Sequence, residues 1–314
     1  MPRRRWRAHS GGTQGRFQRM DMIEQLSVTL ADRVAAAAGA VVSVATGRRP
    51  ASGILWRPDV VVASEQMLPE DAKALQVRHA GRAFNATLAG RDPGTNVAVL
   101  KLDAPLPDTT LPGPAETPRV GSLTLVVGAD DAGAATARLA MVHAVGDAWH
   151  SMAGGRIDSL IRLDTRLGSD EGGPVLSPSG ELIGMSTAGP RRRTLVIPTA
   201  TLARIIDPLL AQGSIPRGWL GVGLQPVMVP ESLRQAAGRD SGLMVVGLGS
   251  AGPAEAAGVL PGDIMLDLDD TPITRLRALS HLLGAERIGQ AVTLRMLRAG
   301  ETHTITVTVG ARPR

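Results

Sequence analysis

The sequence contains no cysteine, which excludes disulfides, thiolate metal sites and a cysteine nucleophile while leaving the redox compartment open. Lysine is almost missing. Lys73 and Lys101 are the only two, beside abundant arginine, alanine and glycine, a bias that reads as genomic base composition rather than function. Acidic residues are absent from residues 1 to 19, which hold Arg3, Arg4, Arg5, Arg7, Arg16 and Arg19. The formal charge of +5 is therefore a property of this tail, and the remainder of the chain is close to neutral. Long apolar runs are also lacking. The longest, "VAAAAGAVVSVA" at 34 to 45, is too short to span a bilayer, and the polar "GGTQGRFQRMDMIEQ" after the first arginines has no apolar region of the kind a signal peptide needs. These absences predict no transmembrane segment and, by default, a cytoplasmic protein. The basic tail is expected to be a disordered extension over 1 to 22, with Met20 or Met22 as an alternative start. A weaker alternative gives it an electrostatic role on nucleic acid or anionic lipid.

A chain of 314 residues predicts two domains, each with room for a core. After a helical stretch, "MIEQLSVTLADRVAAAAGA", about a dozen short runs rich in Val, Ile, Leu and Thr recur between turn residues, among them "VVSVAT", "VVVAS", "NVAVLKL", "LTLVVG" and "TLVIP". This spacing argues for an all-β barrel or sandwich, and two six-stranded barrels would use the runs. "TATLARIIDPLLAQGSIPRG", 199 to 218, has helical spacing followed by a Gly/Ser/Pro stretch and reads as a connecting helix and linker. From Trp219 a second pattern mixes short strands with two helices, as a small independent domain would.

Three stretches then carry a resemblance. "GRDPGTNVAVLKLDAP" and "SGILWRPDVVVASEQML" lie in the first half of the β region; "EGGPVLSPSGELIGMST" with the later "LVIP" lies in the second. In this order they resemble the HtrA (Deg) serine proteases over about residues 24 to 310. The resemblance implies a mainly β fold, a chymotrypsin-like double β-barrel followed by a small α+β PDZ domain. The expected organisation is a tail at 1–22, a trypsin-like domain at 23–198, a helix and linker at 199–217 and a PDZ domain at 218–312.

Carried over residue by residue, the resemblance puts Gln66 at the histidine position, Asn96 at the aspartate position and Glu171 at the serine position. A serine triad needs an imidazole to take the hydroxyl proton and a buried carboxylate to orient it. Gln66 cannot accept and return a proton near neutral pH. Asn96 has no charge for an imidazolium, and Glu171 places negative charge where an oxyanion would develop. Ser169 stands where the family's oxyanion loop has a glycine, with Asp170 beside it, so that loop is altered as well. An alternative register makes Ser169 the nucleophile; it still lacks a base, because His79, His143, His150, His281 and His303 lie outside the expected segment. Adjacent Asp170 and Glu171 give no metal-ligand spacing, so no metal and no cofactor is expected.

The PDZ-like segment keeps what its chemistry needs. PDZ domains add an extended C-terminal peptide as a strand and hold its carboxylate on backbone amides. Gly218, Trp219, Leu220 and Gly221 would form the cradle, with Val222 and Leu224 at the groove floor or edge. The helix holding Leu276, Leu279, Leu282 and Leu283 would supply the wall, and Leu279 and Leu283 are the expected contacts. Part of this apolar set is expected to be core. The expected function is an HtrA-like pseudoprotease that binds peptides or protein C-termini, with unfolded proteins as further partners and a trimer implied by the resemblance. The alternative is an active serine endopeptidase degrading unfolded proteins.

Overall fold

The computed structural model describes residues 13–47, 49–106, 110–151 and 153–311. Arg3, Arg4, Arg5, Arg7 and Trp6 of the basic tail lie outside them. The chain divides into two compact units, Met1–Trp149 with Ile157–Ala211, and His150–Arg156 with Gln212–Arg314.

The first unit begins with α1 (Thr13–Ala37), which starts inside the stretch read as tail. Two closed barrels follow. The first is formed by β1 (Val41–Val44), β2 (Ala51–Arg57), β3 (Val60–Ser64), β4 (Ala74–His79), β5 (Arg82–Asp92) and β6 (Val97–Leu102), hydrogen-bonded in the order β1-β2-β3-β6-β5-β4. The second uses β7 (Leu123–Ala129), β8 (Ala135–Gly146), β9 (Leu160–Leu163), β10 (Pro174–Leu176), β11 (Leu182–Ala188) and β12 (Thr194–Pro198), in the order β9-β12-β11-β10-β7-β8. β-Branched and leucine side chains fit the half-buried pleat, and closure pairs every edge. Val42, Leu55, Val61, Val77 and Leu100 fill the first barrel; Val126, Val142, Ile161, Val175 and Val196 fill the second. A fully buried leucine such as Leu100 contributes about 1.5–3 kcal/mol.

The Gly172-Gly173 pair lets the chain enter β10. Gly172 has φ +92°, and a Cβ there would collide with the Ser52 carbonyl; at Gly173 it would collide with the Val127 carbonyl. Only glycine fits both positions. Helix α2 (Thr199–Gln212) buries Leu202, Ile205, Ile206 and Leu209, an i, i+3, i+4, i+7 face, and all but its last residue belongs to the first unit.

The second unit is built on a sheet in the order β13-β14-β15-β16-β17, formed by β13 (Val222–Met228), β14 (Ser241–Leu248), β15 (Ile264–Leu268), β16 (Ala291–Arg298) and β17 (Glu301–Thr308). The short helices α3 (Arg234–Ala237), α4 (Pro253–Ala256) and α5 (Leu276–Leu282) accompany it. Leu243, Val245, Met265, Leu294, Met296 and Val307 form its core with Leu279 and Leu283 of the α5 region. Strand β13 is an edge strand. Asp263, almost fully buried, is gripped by Arg298 through Nε at 2.8 Å and Nη2 at 2.7 Å, and accepts the Leu260 amide at 2.8 Å. The expected mainly β architecture, two six-stranded barrels and a small α+β domain, is what the chain adopts. Among the described residues no helix is long and apolar enough to cross a membrane.

Candidate functional site

The barrels bring Gln66, Asn96 and Glu171 together at one place in the first unit. Gln66 sits in the single turn Glu65–Met67 that leaves β3. Asn96 precedes β6 in the left-handed region, φ +57°, a conformation that asparagine tolerates. The turn before it is tied down by Asp92, whose carboxylate accepts the Gly94 and Thr95 amides and the Thr95 hydroxyl. Glu171 is delivered by the turn that ends at Gly172-Gly173.

A closed hydrogen-bond network joins them. Glu171 is 6% exposed, and its Oε1 accepts from Gln66 Nε2, from Ser64 Oγ at 3.1 Å and from the Ala188 amide at 3.2 Å. Gln66 Nε2 also points to the Ala188 carbonyl at 2.9 Å and Thr187 Oγ1 at 3.2 Å. Asn96 Oδ1 accepts the Gln66 amide at 2.8 Å, while its Nδ2 donates to Ser64 Oγ at 3.1 Å and to Thr187 Oγ1. Ser64 and Thr187, both buried, are thus partners that sequence reasoning missed. Among the described residues no histidine takes part in this network. His150 instead stacks on His281 in the second unit, with ring centroids 4.2 Å apart.

The turn expected to form an oxyanion hole makes hydrogen bonds within the chain. The Glu171 amide donates to the Gly168 carbonyl at 3.4 Å, and the Ser169 carbonyl accepts the Ser52 hydroxyl at 2.7 Å. Asp170 is 2% exposed and braces the turn: its carboxylate accepts Arg138 Nε at 3.0 Å and the Gly168 amide at 2.8 Å, and its carbonyl accepts Ser186 Oγ at 2.7 Å. As arranged, these groups hold one another, and no imidazole stands among them. Among the described residues no three or more His, Asp or Glu side chains gather as a metal site.

A second candidate site lies in the second unit, a groove of about 230 Å³. Gly218, Trp219, Leu220, Gly221 and Val222 line it with Leu224, Leu276, Leu279 and Leu283. Leu282 does not line it, and packs on the domain core to which Leu220, Leu279 and Leu283 also belong. The carbonyls of Leu220 and Gly221 turn inward to the Ala254 and Gly249 amides, each at 2.8 Å. The amides of Leu220 and Gly221 have no partner among the hydrogen bonds of the described residues. Gly221, at φ +76°, makes the turn that produces this arrangement. The Trp219 ring lies over Gly221, Gly249 and Gly252, so close that a Cβ at Gly249 would stand 2.9 Å from it. Gly249 and Gly252 were not singled out in the sequence; "GLGSAGP" carried the signal. Two unpaired amides beside an apolar trough suit a carboxylate attached to an apolar side chain. Arg217 and the segment Ala153–Gly154, which also line the groove, had no sequence signal.

A trypsin-like peptidase domain model matches residues 51–185, and a PDZ domain model matches residues 218–309. A probable periplasmic serine endoprotease DegP-like from Halomonas elongata is 31% identical over 83% of this chain and 56% of its own length. One from Rhizobium meliloti is 28% identical over 85% of this chain and 54% of its own. The chain belongs to the HtrA/Deg family. It spans about half the length of these curated relatives. Among solved structures, the HtrA-type protease AlgW with a tripeptide is 27% identical with a TM-score of 0.66, covering 90% of this chain and 97% of that one. The family also corrects the compartment. The cytoplasmic default fails, because these relatives are named periplasmic. That default rested on the lack of an apolar run after the first arginines and of any run long enough to span a bilayer, features that do not report on where a folded barrel works.

Proposed function

We propose that this chain is a protease-fold protein without proteolytic activity that binds extended peptide C-termini in its PDZ groove. The observation that carries the first half is the Glu171 carboxylate in the nucleophile's place, engaged by Gln66, Ser64 and the Ala188 amide. A carboxylate there repels a developing oxyanion, and the amide of the same residue is already spent on Gly168. The free amides of Leu220 and Gly221 and the apolar walls Leu279 and Leu283 support the second half. Its relatives are named serine endoproteases, which favours the alternative of an active enzyme with an unusual constellation. The periplasmic names of its relatives favour the periplasm as the working compartment, and a homo-oligomer built through the barrel domain is what the family resemblance implies.

The experiment compares degradation of an unfolded protein by the chain and by a Gln66→His, Asn96→Asp, Glu171→Ser variant. The reading expects no turnover by the chain and no labelling by a serine-directed phosphonate. Turnover or labelling of the unaltered chain, with contamination excluded, sinks it. Cleavage by the variant would further show that only side chains separate the two states.

A further inference from the structure

The edge of the PDZ sheet has a feature that bears on how much of a peptide it reads. Strand β13 is paired on one side only, with β14 in the register Leu224↔Val245, Gln225↔Met244, Pro226↔Leu243, Val227↔Gly242. Val245 spends both of its backbone groups on the other side. Its amide donates to the Asp263 carbonyl and its carbonyl accepts the Gly262 amide, each at 2.8 Å. Leu224 opposite it therefore directs its own N–H and C=O to the free edge, since backbone groups alternate along a strand. Val222 and Leu224 also share the groove-lining face. Pro226 follows in the same phase. A proline is tolerated in a strand where its missing N–H faces the open edge, and here that edge is the one an added peptide would use.

We infer that Pro226 ends the backbone ladder offered to a bound peptide, so that residues beyond the fourth from its C-terminus add little to affinity. This rests on the peptide-binding reading above. With its carboxylate on the Leu220 and Gly221 amides, a peptide runs antiparallel to β13. Its last residue lies opposite Val222, its third-last opposite Leu224 and its fifth-last opposite Pro226. Leu224 can exchange two hydrogen bonds, whereas Pro226 can only accept one. The last side chain meets Leu220, Val222, Leu279 and Leu283; the third-last lies beside Leu224 and Leu276. Beyond that point the edge strand offers the peptide carbonyl no donor, and the fifth-last residue gains little by being ordered.

Labelled peptides of three, four, six and eight residues with a free carboxylate, all ending Val-Ala-Val and extended with Ala and Ser, test this by fluorescence polarisation on the full chain. Affinity is expected to rise from three to four residues and to stay within about twofold from four to eight. In Pro226→Ala the restored donor should tighten the eight-residue peptide roughly three- to tenfold and leave the three-residue peptide unchanged, which also shows that the groove is intact. Affinity that keeps climbing tenfold past four residues in the unaltered chain overturns the inference, as does a Pro226→Ala protein with equal gains at every length. Should that variant not fold, the length series on the unaltered chain decides alone. Failure of every peptide to bind either protein overturns the peptide-binding reading itself.

Discussion

Replacing Glu171 with alanine tests whether the degenerate triad is a structural joint between the barrels. The carboxylate oxygen accepts three donors, which lose unequally when it is removed. Ser64 is fully buried, and orphaning its hydroxyl costs about 1–3 kcal/mol. The Ala188 amide is half-buried and adds about 1 kcal/mol. Gln66 is exposed and rehydrates, so its share is close to nil. The sum, about 2–4 kcal/mol, corresponds to a fall in Tm of roughly 4–16 °C for a unit of this size. Differential scanning calorimetry resolves such a shift, and the transition of the first unit is the one that should move. Glu171→Gln, which keeps an acceptor oxygen, should recover most of the loss. An alanine variant as stable as the parent, or more stable, would refute the reasoning. Glu171 would then be a buried charge tolerated at a cost, and its partners would be incidental.

Gly173→Ala should destabilise the first unit beyond recovery of soluble protein, because its Cβ would collide with the Val127 carbonyl in the closed barrel; a well-folded variant by circular dichroism would contradict this. Asp263 is held below the usual carboxylate range, because the Arg298 fork, the Leu260 amide and nearby His303 outweigh a burial that acts in the opposite direction. Its stabilisation is therefore complete above the unfolded value near 3.8 and is lost as pH falls through the lower folded value. Denaturant titrations from pH 6 to 2 should show this acid loss shrinking in Asp263→Asn, and an unchanged slope would remove Asp263 from the account. His150 is shifted the other way in effect: burial first, then His281, Arg156 and Arg217, lower its pKa against an opposing Glu286. Its neutral form is favoured in the fold, so stability should decline as pH falls below 6.5; an NMR titration placing its midpoint above that value would overturn the sign.

The fold was legible because its signals are local. "VVVAS" and "NVAVLKL" announce strands, and the Gly172-Gly173-Pro174 turn announces the barrel. That turn also shows why the motif frame outlives its chemistry. The two glycines are required by the Ser52 and Val127 carbonyls whether the preceding residue is a nucleophile or not. Gln66, Asn96 and Glu171 could be placed from the frame, but what they do could not. Gln66 and Thr187 are 121 residues apart, and only closure of both barrels brings them into contact. For the same reason "HSMAGGR" gave no sign of joining the second unit, and α1 reached into a stretch that composition alone read as tail.

An open sheet edge is a hazard in a protein that waits for a partner, because any extended chain can pair with it, including another copy of itself. In β13 the row of donors is broken midway. Two copies meeting edge to edge could not zip along the full strand, since each would present a gap at Pro226 where the other needs an N–H. A proline at this point of the edge thus works against a continuous sheet between molecules, whatever the groove binds.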